Sequence, residues 1–206
     1  MRNVTKGLLG CVVVLALAFG AAAQNGATTA KADREAMLAH LQKTKKGLED
    51  ATTDLSPEQW KFKPAPDRWS IAEVYEHITL GESFLLELIQ KGAQAPATPE
   101  KKVAAAQEKD AQIQKMVTDR SRKFPAPDPL HPTGRWSVDE VKKEFVARRA
   151  KTVDFVKNNP SDLRAQFMAG PGGELDLVQW VFYLSGHSER HTAQILEVKA
   201  DANYPK

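Results

Sequence analysis

The chain has 206 residues, 42% of them hydrophobic, and its 29 lysines and arginines nearly balance 26 aspartates and glutamates, for a formal charge of +3. So small an excess gives no electrostatic footprint for nucleic acid or acidic lipid, and both are excluded as expected partners. The one cysteine, Cys11, excludes a disulfide framework within the chain.

The first 23 residues have the layout of a cleavable signal peptide. Arg2 and Lys6 form a basic start, Leu8 to Phe19 an apolar run, and Ala21-Ala22-Ala23 a small-residue cleavage site. The run is about 12 residues, well short of the ~20 that a membrane-spanning helix needs, which disfavours a retained anchor. A lipid on Cys11 is disfavoured because little apolar sequence precedes Leu8-Leu9-Gly10-Cys11. The expectation is an exported protein, periplasmic or secreted, that begins at Gln24 and has no membrane attachment after cleavage. Without residues 1–23 the chain keeps 27 basic and 26 acidic residues and has no thiol at all. Its remaining 183 residues suit one domain, 31–200, after a polar, disordered lead-in at 24–30.

From Lys31 to about Asp54, Met37, Leu38, Leu41, Leu48 and Leu55 recur at helical spacing. His40 lies in this helix among polar neighbours and reads as a solvated surface histidine. A proline-rich connection follows, containing Ser56-Pro57 and Lys63-Pro64-Ala65-Pro66. Ser70-Ile71-Ala72-Glu73 then has the form of a capping box, opening a second helix to about Lys91. On its apolar face, with Ile71, Val74, Ile78, Leu85 and Leu88, sits His77.

Residues 92–136 read as a long crossover. Within it, Glu100 to about Lys123 forms an extra helix whose apolar content is mostly alanine, so it should be peripheral. His131 follows in a proline-rich turn, where a loop role outweighs a ligand role. Arg135-Trp136-Ser137-Val138-Asp139-Glu140-Val141 echoes Arg68-Trp69-Ser70-Ile71-Ala72-Glu73-Val74, so a third bundle helix starts like the second and runs to about Lys157. Gly170-Pro171-Gly172-Gly173 lacks the context of a phosphate loop and reads as a turn. The last helix, from about Leu175 to Ala200, carries Ser185-Gly186-His187-Ser188-Glu189-Arg190-His191-Thr192-Ala193-Gln194.

His187 and His191, four apart, share one helix face with Cβ atoms about 6 Å apart, so both can reach one ion. They belong to an apolar stripe with Trp180, Val181, Leu184, Ile195 and Val198, which directs them into a core or cleft. The fold class is all-α: a four-helix bundle with a long crossover containing the extra helix. Bundles build metal sites from facing helices. His77, His187 and His191 form the candidate set, and three neutral imidazoles leave a coordination position open. Zn²⁺, Ni²⁺ and Fe²⁺ fit that ligand type equally well.

The segments Trp69-Ser70-Ile71-Ala72-Glu73-Val74-Tyr75-Glu76-His77 and Gly186-His187-Ser188-Glu189-Arg190-His191-Thr192-Ala193-Gln194-Ile195 resemble the signature segments of the DinB-like family. The resemblance runs from about Lys31 to Lys199. It implies a four-helix bundle with a long crossover and a divalent metal held by His77, His187 and His191. It also implies either a metal-dependent hydrolase or a thiol-dependent S-transferase. The export signal argues against the transferase, because low-molecular-weight thiols are scarce outside the cytoplasm. Hydrolysis of an unknown small molecule needs only water activated by the metal. A non-catalytic bundle that binds metal or a small ligand is the alternative. Glu73 and Tyr183, each one turn before a histidine, are candidate catalytic groups, against a capping role for Glu73 and plain packing for Tyr183, and Gln194 is a candidate either for orienting a ligand or for bonding a neighbouring helix. A homodimer is one assembly the chain allows.

Overall fold

The computed structural model describes residues 28–102, 106–171 and 173–206, so the expected signal peptide lies outside the described residues. The main helices are α1 (Lys31–Ala51), α2 (Pro57–Lys61), α3 (Ile71–Gly92), α4 (Ala106–Thr118), α5 (Val138–Asn158) and α6 (Leu177–Lys199). The long helices α1, α3, α5 and α6 form the bundle: α6 packs on α1 and α3, and α5 packs on the same two from the other side. No described helix is long and apolar enough to cross a membrane.

The helix starts follow from local chemistry. Ser70 accepts from the Glu73 amide while Glu73 accepts from the Ser70 amide, and Ser137 with Glu140 repeats this at α5. The echoed sequence segments are therefore two equivalent capping boxes. Asp176 and Gln179 form a third at the start of α6, and Ser56 with Gln59 a fourth at α2. The helix at Pro57–Lys61 was not expected; proline at its first position suits a helix start as readily as a break.

Two further differences stand out. Residues 167–170 and 173–176 pair as an antiparallel hairpin, β1 (Phe167–Gly170) with β2 (Gly173–Asp176), so the glycine-rich turn joins two short strands. Thr29, within the expected disordered lead-in, is buried; its hydroxyl donates to the Ser161 carbonyl (2.9 Å) and accepts from the Leu163 amide (2.9 Å). Such long-range bonds are invisible to composition.

The helix α4 lies outside the ring, on α6, as an extra helix. It ends at Thr118, short of the expected Lys123, and is seated by buried Ile113 and Val117. Val117 rests directly on the backbone of Gly186, leaving no room for a side chain there. Arg164 holds the neighbouring end of the molecule, pairing with Asp33 of α1 (2.8 Å), Asp110 of α4 (2.6 Å) and the helix-capping Asp176 (3.1 Å).

The core is split in two. Met37, Leu41, Leu85, Val156 and Leu184 belong to one apolar cluster, and Leu48, Ile78, Phe145 and Ile195 to the other. Between them in sequence, on all four helices, lie buried polar residues: Thr44, Glu82, Arg149 and Ser188. They bond to one another across the bundle. Arg149 donates to Glu82 (2.9 and 2.8 Å), Thr44 (2.8 Å), Ser188 (2.8 Å) and the Leu41 carbonyl (2.7 Å). Thr152 donates to Glu82 at 2.6 Å. The guanidinium and the carboxylate thus spend their hydrogen bonds within a buried layer, the condition under which a buried ion pair is tolerable.

Candidate metal centre

At the level of this polar layer, α3 and α6 bring three histidines together. His77 lies on α3, and His187 and His191 stand one turn apart on α6, their ring centroids 4.5 Å apart. The Nε2 atom of His77 lies 3.1 Å from that of His187 and 3.2 Å from that of His191. Each of the three offers a ligand atom within 4.8 Å of the others. Bonds of about 2.0–2.1 Å to one ion would separate tetrahedral nitrogen ligands by roughly 3.3 Å, so the spacing fits.

The protonation pattern points the same way. The Nδ1 atom of His77 lies 2.8 Å from the Leu130 carbonyl, which can only accept, so Nδ1 carries the proton and Nε2 a lone pair. The Nδ1 atom of His191 lies 2.8 Å from Gln194 Oε1. That amide oxygen is also 3.5 Å from Arg120 Nη1, a group that only donates, which fixes the amide's orientation. Two of the three Nε2 atoms therefore aim lone pairs at a common point. Lone pairs converging at this distance repel unless a cation sits between them, and the outer bonds to Leu130 and Gln194 are the kind that orient metal-ligating histidines.

Electrostatics keep the imidazoles neutral. Burial lowers the His77 pKa, burial and the neighbouring histidines hold His187 well below the ordinary range, and burial with the nearby His77 pushes His191 down to about 3. Neutral imidazole is the form that binds metal. His77 is buried, whereas His187 and His191 are each partly open to solvent. Trp69 walls one side, its ring 4.9 Å from that of His77.

Close approach of the helices rests on Gly81, one turn beyond His77. A methyl group there would lie 2.7 Å from Cε1 and 3.0 Å from Nδ1 of His187, so glycine leaves the space that the ring fills. The loop after α4 is tied to α3 as well. Glu76, beside His77, accepts from the Thr133 amide (3.0 Å), the Gly134 amide (2.9 Å) and Arg135 Nε (3.1 Å). Gly134 takes φ +70°, a left-handed conformation that favours glycine, to present its amide there.

The other sequence candidates fall differently. Glu73 does not join the cluster: its carboxylate accepts from the Ser70 amide (2.7 Å) and Lys63 (2.9 Å). Partial burial works against its charge, but those bonds hold its pKa below the usual value. Tyr183 packs against Trp180 at 5.5 Å, its hydroxyl unbonded among the described residues, and burial raises its pKa. Gln194 does bond one of the clustered histidines, His191, as above. His131 is an exposed loop residue bonded to the Ala126 carbonyl (2.9 Å).

His40 is not the solvated histidine its neighbours implied. Its side chain is only 9% exposed, with Nδ1 2.6 Å from Ser185 Oγ and Nε2 3.3 Å from Glu189. The α1–α6 interface, and not the composition of α1, decides its surroundings.

Sequence reasoning also missed Gly81, Leu130, Glu76 and Arg120. Only Gly81 carried a local signal, since a glycine inside a strong helix costs about 1 kcal/mol and usually marks a close approach.

The sequence profile of the DinB superfamily matches residues 40–195, most of the chain and all three histidines. The chain belongs to the DinB superfamily. This DinB-superfamily chain is 29% identical over 147 residues to uncharacterized protein YuaE of Bacillus subtilis (strain 168), covering 70% of the present chain and 86% of YuaE. Among solved structures it is similar to YfiT from Bacillus subtilis, described as a probable metal-dependent hydrolase with an unusual four-helix bundle topology. That similarity has a TM-score of 0.49 at 10% identity and covers 86% of this chain and 92% of YfiT.

Proposed function

We propose that the protein is a metal-dependent hydrolase acting on a small molecule, with His77, His187 and His191 as the ligands of one divalent ion. The observation that carries this reading is the convergence of three Nε2 atoms, two with their Nδ1 protons committed elsewhere. The ion, when bound, supplies Lewis acidity and activates water near neutral pH. The chain supplies the rest: three neutral ligands that leave a position open, a partly solvent-facing edge, and the Trp69 wall. Of the two candidates for proton transfer, Glu73 is committed to its cap and to Lys63. Tyr183, one turn before His187 and with its hydroxyl unbonded among the described residues, is the better proposal.

This reading puts the protein outside the cytoplasm, supported by the basic, apolar and small-residue segments between Arg2 and Ala23. N-terminal sequencing of the exported protein should begin at Gln24. For activity, purified protein is stripped with a chelator, reloaded with Zn²⁺, Ni²⁺ or Fe²⁺, and assayed against a panel of chromogenic esters and amides. Hydrolysis that vanishes on stripping and returns on reloading supports the proposal. Stoichiometric metal with no hydrolysis supports the non-catalytic binding protein instead, and turnover only with an added thiol supports the S-transferase.

A further inference from the structure

The connection from α4 to α5 passes from one histidine-bearing helix to the other. One end is held on α6. Arg190, between His187 and His191 in sequence, donates to the carbonyls of Val117, Asp119 and Arg122, so the end of α4 and the start of the connection meet at its guanidinium. Arg120 of the connection pairs with Glu197 (2.5 and 2.6 Å) and lies 3.5 Å from Gln194 Oε1, the atom that is also 2.8 Å from His191 Nδ1. The other end is held on α3. There the Leu130 carbonyl lies 2.8 Å from His77 Nδ1, and Glu76 accepts from the Thr133 and Gly134 amides.

Between these anchorages little holds the chain down. Residues 119–129 bury no side chain, and Phe124, 68% exposed, faces only the Arg190 guanidinium at 5.5 Å. Among the described residues, the backbone amides of Arg122, Lys123, Phe124 and Ala126 make no hydrogen bond. A segment without buried apolar surface, fixed by polar contacts at its ends, opens locally at low cost. Both ends, however, lead to the histidines. An imidazole whose Nε2 is fixed on an ion has its Nδ1 proton fixed in direction, and the acceptor that meets it orients the ligand. For His77 that acceptor belongs to the connection itself. For His191 it is Gln194, which Arg120 of the connection touches.

We propose that residues 119–135 form a strap between the two helices of the metal centre, and that strap closure and ion binding are one coupled equilibrium. The inference rests on the metal-site reading above and names a regulation of that site: loss of the ion frees the strap, and freeing the strap weakens the hold on the ion. Arg190 and Arg120 are positioning residues in this scheme. Arg190 acts through the strap, and Arg120 through Gln194.

The strap carries its own probe, because trypsin cuts after Arg120, Arg122 and Lys123, and cleavage in a folded protein follows local opening. The full-length chain is digested with and without Zn²⁺, with metal content measured by elemental analysis and cut sites by mass spectrometry. Zn²⁺ should slow cleavage at the strap roughly tenfold, and Arg190→Gln should weaken Zn²⁺ by a similar factor while shrinking that protection, since coupling is reciprocal. An arginine with a merely structural role would change cleavage equally with and without the ion. General stabilisation by the ion would slow cleavage in the helices instead, as at Lys45 and Lys46 of α1. Should Arg190→Gln fail to fold, Arg120→Gln carries the same test with an effect of about threefold. Unchanged strap cleavage in a parent that holds one Zn²⁺ overturns the proposal and leaves the metal site standing. So does a variant whose strap opens faster yet binds Zn²⁺ as the parent does. A parent that takes up no metal is recognised by elemental analysis alone; the metal-site reading then fails and the coupling fails with it.

Discussion

Gly81 of α3 and His187 of α6 occupy one space: where any other residue would carry its Cβ, the imidazole of His187 lies 2.7 Å away. The histidine cluster depends on a missing side chain as much as on the three that are present.

Gly81→Ala should therefore separate site from fold. Alanine gains about 1 kcal/mol of helix propensity over glycine, offsetting the cost of moving one ring end. The helical circular dichroism should stay unchanged, while displacement of His187 weakens metal binding at least about tenfold, as loss of ligand positioning generally does. A parent-like metal affinity in this variant would show that His187 is not held by that contact.

The three clustered histidines should stand apart from the other two. His77→Ala, His187→Ala and His191→Ala should each lose bound metal under equal dialysis, whereas His131→Ala and His40→Ala retain it. His40→Ala should cost stability, because its ring bridges Ser185 and Glu189 at the α1–α6 interface. Elemental analysis of the five variants checks this, and uniform metal content across them would sink the three-histidine site.

Glu76 should matter to metal affinity without touching the ion. Glu76→Gln replaces an acceptor of several loop hydrogen bonds with an amide that can satisfy only part of them. The loop that supplies the Leu130 carbonyl to His77 should loosen, with faster hydrogen exchange at the Thr133 and Gly134 amides and roughly tenfold weaker metal binding. Unchanged exchange at those amides would count against the clamp.

The buried layer predicts a large and partly reversible loss. Arg149→Met strands Glu82 and removes partners from Thr44 and Ser188, which should cost about 3–5 kcal/mol in urea unfolding. Combining it with Glu82→Leu should recover much of that loss, since a buried pair replaced on both sides by apolar groups is often tolerated. A double variant no more stable than the single would mean that the layer's other bonds dominate.

The parts of this molecule that were legible in its sequence are those that depend on neighbours along the chain. The capping boxes at Ser70 and Ser137, the apolar stripe of α6 and the His187/His191 spacing are all local patterns, and each reappears in the structure. What escaped depends on which helix faces which. His40 has polar neighbours in sequence but meets Ser185 and Glu189 in space, 145 and 149 residues further on. The ion pair of Arg149 with Glu82 and the outer bonds of His77 and His191 follow from the relative register of helices and loops, which no single periodicity reveals. The β1–β2 hairpin was missed for another reason: four-residue strands are too short for alternation to show.

The polar contacts of His77 with His187 span 110 residues. Any ion held there would act as a staple across more than half of the chain, in a molecule whose lone cysteine cannot form an internal disulfide. An ion present at a thousand times its dissociation constant would stabilise the fold by about 4 kcal/mol. Because α3 and α6 could not part without breaking its bonds, loading should also slow unfolding. Durability and chemical competence would then be lost together when the ion is withdrawn.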